Sequence, residues 1–300
     1  MLIFLGLVLM RIEIENFLPA QVLDCGQCFR WRRIESSGSD DIGINSSNGI
    51  GDISGISNNY TGIAHGRRLE VSLEGSEGSG GSTLILKNIT EEEYNTIWRD
   101  YFDLSRDYGA LKQLYSSDAA LKAATEFSPG LRLMRQDPWE TLISFILSQN
   151  SNIPRIKGMI ERLCENFGRL LPCGTGYSFP EATDIASLSE GDLAGIKSGY
   201  RADYIIDAAR RVSDGRLDLK ELQNKPTDDV RKALLEVRGV GPKVADCVLL
   251  YGFGRIECFP MDVWMKRVME RYYPGGFPNE FADTAGIAQQ FLFHYIRNDS

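Results

Sequence analysis

The stretch GVGPKVADC, residues 239–247, places a lysine directly after two glycines and a proline, with small and apolar residues behind it. A solvated lysine needs no such setting. Pro242 suits the first position of a helix, where its missing N–H costs nothing, so Lys243 falls in the first turn. The positive end of the helix dipole and the apolar neighbours both disfavour an ammonium. An amine held neutral is a nucleophile that can form a Schiff base. Further on, Asp262 follows Phe259-Pro260-Met261 and opens DVWMKRVMER. There it can cap a helix, and its carboxylate can stabilise positive charge developing on a sugar. Helix capping alone is the competing reading of Asp262.

The elements around Lys243 are readable. TDDVRKALLEV begins at Thr227, an N-cap residue type, with Asp228 and Asp229 in the first turn. Val230, Leu234 and Val237 give it an apolar side, and it stops at Gly239. Helix, tight hairpin and helix therefore run over 228–251. Gly239, Val240 and Gly241 form the hairpin, whose backbone amides can face a phosphate. Such hairpins also grip DNA without cutting it, so a non-catalytic DNA-binding scaffold stays open on the hairpin alone.

Residues 11–88 read as an antiparallel sheet domain. RIEIENF, QCFRWRRI, YTGIAHG, RLEVSLE and TLILKN are short, β-rich and separated by turn residues. Between two of them, 12 of the 22 residues at 36–57 are Ser or Gly, the composition of a flexible insertion, and GSEGSGGS (75–82) is a shorter turn of the same kind. From residue 89 to 300 the period becomes helical: EEEYNTIWRDYF, GALKQLYSSDAALKAATEF, PWETLISFILSQ, RIKGMIERLCENF and ADYIIDAARRV precede the hairpin, and AGIAQQFLFHYI closes the chain. The fold class is α+β, a small sheet domain joined to a mostly helical one.

The net charge of −8 argues at first against an anionic partner, yet residues 36–100 carry ten acids against four bases, so most of the excess sits there and a basic face can exist elsewhere. Cys25 and Cys28 form one C-x-x-C with no second pair to complete a zinc site, and the chain has two histidines. Reduced thiols and no metal are expected. The opening MLIFLGLVLM is too short to span a bilayer, and either Met1 or Met10 can be the start. No membrane segment is expected.

GVGPKVADC followed by FPMDVWMKR resembles the catalytic core of the helix-hairpin-helix DNA glycosylases, specifically those acting on 8-oxoguanine with abasic-site lyase activity. GQCFRWR (26–32), the central segment 133–168, SGYRADYI (198–205) and AGIAQQFLF (285–293) resemble further blocks of that family in the same order. The resemblance implies a bifunctional repair enzyme that excises 8-oxoguanine opposite cytosine from duplex DNA through a lysine Schiff base. It further implies no cofactor, action as a monomer, and a place with chromosomal DNA, in a prokaryotic cytoplasm or a nucleus. A related glycosylase for another damaged base is the alternative.

By motif position, Lys243 would attack the sugar C1′ and Asp262 would assist departure of the base. Gly26 would accept the N7 hydrogen of oxidised guanine through its carbonyl, Phe293 and Cys247 would sandwich the flipped base, and Gln289 would read its Watson–Crick edge. Core packing is the competing reading of Phe293 and Cys247. Asn150, Arg155 and Arg201 would hold the estranged cytosine, while Tyr200 would wedge into the stack. The family usually has histidine two residues after the aspartate; here Trp264 stands, which can donate to a phosphate but cannot become cationic.

Overall fold

The computed structural model describes residues 8–34, 59–75 and 82–298. The expected insertion at 36–57, most of the 75–82 turn and the opening seven residues lie outside them. Five strands form one antiparallel sheet in the order β1-β5-β4-β3-β2: β1 (Val8–Ile14), β2 (Trp31–Arg33), β3 (Tyr60–Ala64), β4 (Arg67–Glu74) and β5 (Ser82–Ile89). A short helix, α1 (Pro19–Leu23), joins β1 to β2. His65 and Gly66 turn β3 into β4 with φ of 49° and 68°. Positive φ at both residues gives the primed hairpin that matches strand twist. Alternation buries Leu69 and Val71 of β4 against Leu84 and Leu86 of β5. The Trp31 indole fills the face of β3 at Gly62, where a Cβ would stand 2.3 Å from the ring. Only glycine fits there.

QCFRWRRI is a strand over Trp31–Arg33 alone, not throughout. Its first half is a buried loop, because Gln27 spends its side chain on backbone groups elsewhere. Gln27 Nε2 donates to the carbonyls of Val22 and Arg132 at 2.9 and 2.8 Å, and Oε1 accepts from Met134 N–H at 2.8 Å. Gly26, at φ +88°, makes the bend.

The helical part opens with α2 (Glu91–Glu93), a π turn (Tyr94–Trp98) and α3 (Arg99–Tyr101), running without a break. Trp98, Tyr101 and Phe102 pack into the core of the sheet. The change from strand to helix near residue 89 is thus not where packing divides: the second core runs from Tyr108 onward but also takes Cys25 and Phe29, while Met134 packs with the sheet. GALKQLYSSDAALKAATEF forms two helices rather than one, α4 (Tyr108–Tyr115) and α5 (Ala119–Phe127). The break follows from Asp118, whose Oδ1 accepts from the amides of Ala120 and Leu121 and so starts a new helix.

The remaining helices are α6 (Pro138–Ser148), α7 (Ile153–Phe167), α8 (Ala182–Ala186), α9 (Arg201–Ser213), α10 (Leu219–Leu222), α11 (Thr227–Leu235), α12 (Pro242–Tyr251), α13 (Val263–Tyr272) and α14 (Ala285–Asn298). Helix α6 is the central one; Leu142, Ile143, Ile146 and Leu147 are fully buried. Ile156, Met159, Ile160 and Leu163 make the buried stripe of α7. Thr227 is not the cap of α11. Pro226 holds that position, and the Thr227 hydroxyl donates to Glu257 Oε1 at 2.6 Å instead. Among the described residues, no helix is long and apolar enough to cross a membrane.

Candidate active site

Helix α12 starts with Gly241 as cap and Pro242 at its first position, which sets Lys243 in the opening turn. The Lys243 Nζ stands over the face of the Phe145 ring on α6, 5.0 Å from its centroid. Asp262 caps α13, with Oδ1 accepting from Met265 N–H at 2.8 Å. One carboxylate oxygen is thereby fixed, and it orients the other. Lys243, Asp262, Gly26 and Phe293 line one cavity of about 310 Å³, together with Phe29 and Arg297. That volume lies at the lower end of small-ligand pockets. Four residues from three distant parts of the chain meet in one place.

Gly26 presents its backbone there. A side chain at this position would be strained at φ +88° and would meet Ile153 and Arg297 at 3.4 Å. Cys247 and Gln289 do not line the open cavity; both are buried, at 2% and 3% exposure. Burial pushes the Cys247 thiol up to about 11 against the pull of Lys243, so it stays protonated and does not compete as a nucleophile. Gln289 Oε1 is buried with no hydrogen-bond partner. Such an acceptor is costly to leave unmade, and a ligand donor would satisfy it.

The second cluster lies at the end of α6. Tyr200 is 50% exposed, receives a hydrogen bond from Asn150 Nδ2 at 3.2 Å and meets Tyr204 edge-to-face. Asn150 and Arg155 are exposed. Arg201 is placed otherwise than expected. It is 3% exposed under the Tyr200 ring, and it donates to the carbonyls of Gln149 (2.9 Å), Ser198 (3.0 Å) and Asn150 (3.2 Å). Its guanidinium holds the loop after α6 rather than facing outward. In the hairpin, Gly239 has φ +77° with the Tyr204 ring packed against it. The Val240 amide is committed to Val237 O at 3.0 Å, whereas nothing lies within 4 Å of the empty side of Gly241. Gly241 is therefore the open point of the hairpin, and the amide of Val240 is not free for a phosphate.

A wider recess of about 1050 Å³ sits at the opposite end of α6, beside Asp137 and Glu140. Burial pushes the Glu140 carboxyl up to about 7 although Arg30 lies 3.9 Å away. Lys243 and Asp262 have no part in it. Among the described residues no cluster of His, Cys, Asp and Glu could hold a metal ion.

Residues 9–142 match the family model for the N-terminal domain of 8-oxoguanine DNA glycosylase, and residues 143–277 match that of the HhH-GPD superfamily of base excision DNA repair proteins. A probable N-glycosylase/DNA lyase of Methanothermobacter thermautotrophicus is 33% identical, over 65% of this chain and 72% of its own length. The chain belongs to the HhH-GPD superfamily, in its 8-oxoguanine DNA glycosylase branch. The N-glycosylase/DNA lyase of Saccharomyces cerevisiae is 42% identical over 51% of this chain, and the match spans 44% of that relative. Among solved structures, the Clostridium acetobutylicum 8-oxoguanine glycosylase/lyase, bound to double-stranded DNA with cytosine opposite 8-oxoG, superposes with a TM-score of 0.81 at 34% identity. The superposition covers 97% of this glycosylase chain and 98% of the clostridial one.

Sequence reasoning missed Phe29, Phe145 and Arg297 as cavity residues. Two had a signal. Phe29 shares the tight loop of Gly26, and Arg297 stands four residues beyond Phe293 on α14, one helical turn. Phe145 had none, because a buried helix offers apolar side chains on every face.

Proposed function

We propose that this glycosylase excises 8-oxoguanine opposite cytosine from duplex DNA and then nicks the strand through a lysine Schiff base. The observation that carries it is the single cavity shared by Lys243, Asp262, Gly26 and Phe293. The lesion must leave the stack to reach that cavity, since C1′ is inaccessible inside a duplex. There the Lys243 amine forms a bond to C1′ as the bond from C1′ to N9 breaks. The electron pair departs with the base, which takes up a proton, and Asp262 faces the positive charge that spreads over the sugar. Opening of the sugar ring gives the Schiff base. Loss of a C2′ proton then expels the 3′ phosphate, and the strand is cut.

Gly26 separates oxidised guanine from guanine, because N7 carries a hydrogen only in the former and a backbone carbonyl accepts it. Two Bacillus subtilis relatives named for 3-methyladenine are also about 30% identical over about half of this chain, but a nucleophilic amine is not needed to release a base already labile through its alkyl charge. The test is borohydride trapping on a duplex with one 8-oxoguanine. The unmodified protein should form a covalent adduct, Lys243→Gln should form none while still binding the duplex, and trapping by the variant would overturn the assignment.

A further inference from the structure

Arg297 lines the cavity but has no part in the mechanism above. With Gln289 and Phe293 it stands at intervals of four along α14, so the three share one face. Its guanidinium carbon lies 5.5 Å from the centroid of the Phe293 ring. Its Nη1 is one of the two atoms nearest the empty side of Gly26, 3.4 Å from where a Cβ would stand. Among the described residues it makes no hydrogen bond and no ion pair. Asp262 lines the same cavity, yet one of its oxygens is taken by Met265 N–H. A guanidinium has five N–H donors and no acceptor. Half-buried against Phe293 with no hydrogen-bond acceptor among the described residues, it suits a ligand that brings acceptors.

Oxidised guanine brings them at the right edge. Its N7–H, directed at the Gly26 carbonyl, is flanked by two carbonyl oxygens, O6 and O8. We propose that Arg297 is a specificity-determining residue that donates to a carbonyl oxygen flanking N7 of the extruded base while its plane rests on Phe293. This rests on the function proposed above. The backbone of Gly26 then reads the one donor of that edge and Arg297 its acceptors, so donor and acceptor pattern are checked together. Guanine offers Arg297 its O6 but has no O8, and it turns a bare N7 acceptor rather than an N–H toward the Gly26 carbonyl, leaving that carbonyl unpaired.

The experiment compares single-turnover release of 8-oxoguanine opposite cytosine with incision of the same duplex carrying a preformed abasic site. An abasic site has no base for Arg297 to hold. Arg297→Met keeps an apolar stem against Phe293 and removes every donor; it should slow base release by about 10- to 100-fold, the effect of one hydrogen bond to a charged group. Incision of the abasic duplex should fall by no more than about 3-fold. Arg297→Lys should recover part of the loss. Equal losses on both duplexes would show a phosphate contact and overturn the proposal, as would base release by Arg297→Met at the unmodified rate, the mark of packing alone. Incision of abasic DNA with no release of 8-oxoguanine by the unmodified protein would overturn the proposed function itself, and the role of Arg297 with it.

Discussion

Asp262 carries two duties that can be taken apart by two substitutions at one position. Its backbone is extended, at φ −107° and ψ −170°, and Oδ1 accepts the Met265 amide at 2.8 Å, so it is a true cap of α13. Asparagine keeps that oxygen and is as good a cap as aspartate. Asp262→Asn should therefore leave stability within a few tenths of a kcal/mol, while removing the negative charge from the cavity. Alanine removes both. Losing the cap costs about 1 kcal/mol, a fall of roughly 2 °C in melting temperature for a chain of this length. If the charge acts in the transition state, base release should slow by about 10²- to 10³-fold, or roughly 3–4 kcal/mol, in both variants. The assay pairs single-turnover release of 8-oxoguanine at saturating enzyme with thermal melting. The expected pattern is two slow variants of which only alanine melts early. An asparagine variant within about 3-fold of the parent rate would reduce Asp262 to a helix cap.

Three further outcomes follow from the geometry. Gly239→Ala must carry a Cβ at φ +77° and 2.2 Å from Tyr204 Cδ2, so it should cost about 2 kcal/mol or more and weaken duplex binding; an unchanged melting curve would refute the close approach. The native Glu140 carboxyl is pushed up to about 7 from 4.5, so the folded chain holds that proton more tightly than the unfolded chain. Its contribution to stability is complete below pH 4.5 and is lost as pH rises to 7, about 3 kcal/mol at most. Glu140→Gln should flatten this slope in urea titrations at pH 5 to 8, and parallel curves for the two proteins would count against it. Arg155→Ala, at an exposed position, should narrow the preference for cytosine over adenine opposite the lesion by about 10-fold, mainly by slowing the cytosine duplex; an unaltered ratio of rates would remove Arg155 from opposite-base reading.

The parts legible in the sequence are those decided by local chemistry. Pro242 and Asp262 announce their helix starts, and the stripe of α7 shows its buried face by spacing alone. Thr227 misled because the preceding Pro226 supplies the extended residue that a cap requires, leaving the hydroxyl to Glu257. QCFRWRRI misled because the strand-like composition of 27–34 is overruled in its first half by Gln27, which pairs with backbone more than a hundred residues away. Arg201 is the instructive case. Its position in SGYRADYI was readable, but four of its five N–H groups are taken by carbonyls of Gln149, Asn150 and Ser198, and no local pattern announces such a set of partners.

Those partners make the hairpin and the exposed tyrosine one mechanical unit. Gln149 Nε2 donates to Gly239 O at 3.0 Å, while its own carbonyl receives Arg201. Arg201 lies beneath the Tyr200 ring, Tyr200 meets Tyr204 edge-to-face at 5.7 Å, and Tyr204 packs back onto Gly239. The circuit closes on itself. A wedge that separates stacked bases must resist a cost of a few kcal/mol per step, and an exposed tyrosine on a free loop would yield instead. Here the Tyr200 ring is backed by a second ring that rests on the glycine whose turn shapes the hairpin. On the proposed function, a phosphate at Gly241 and a Tyr200 entering the duplex would load one packed assembly. For Arg201 to reach an unpaired cytosine it must use its one uncommitted N–H or release the Gln149 carbonyl, and releasing it loosens the packing under Tyr200. On the proposed function, the exposed Arg155 and Asn150 are the first contacts expected for the opposite base, with Arg201 holding the loop after α6 beneath them.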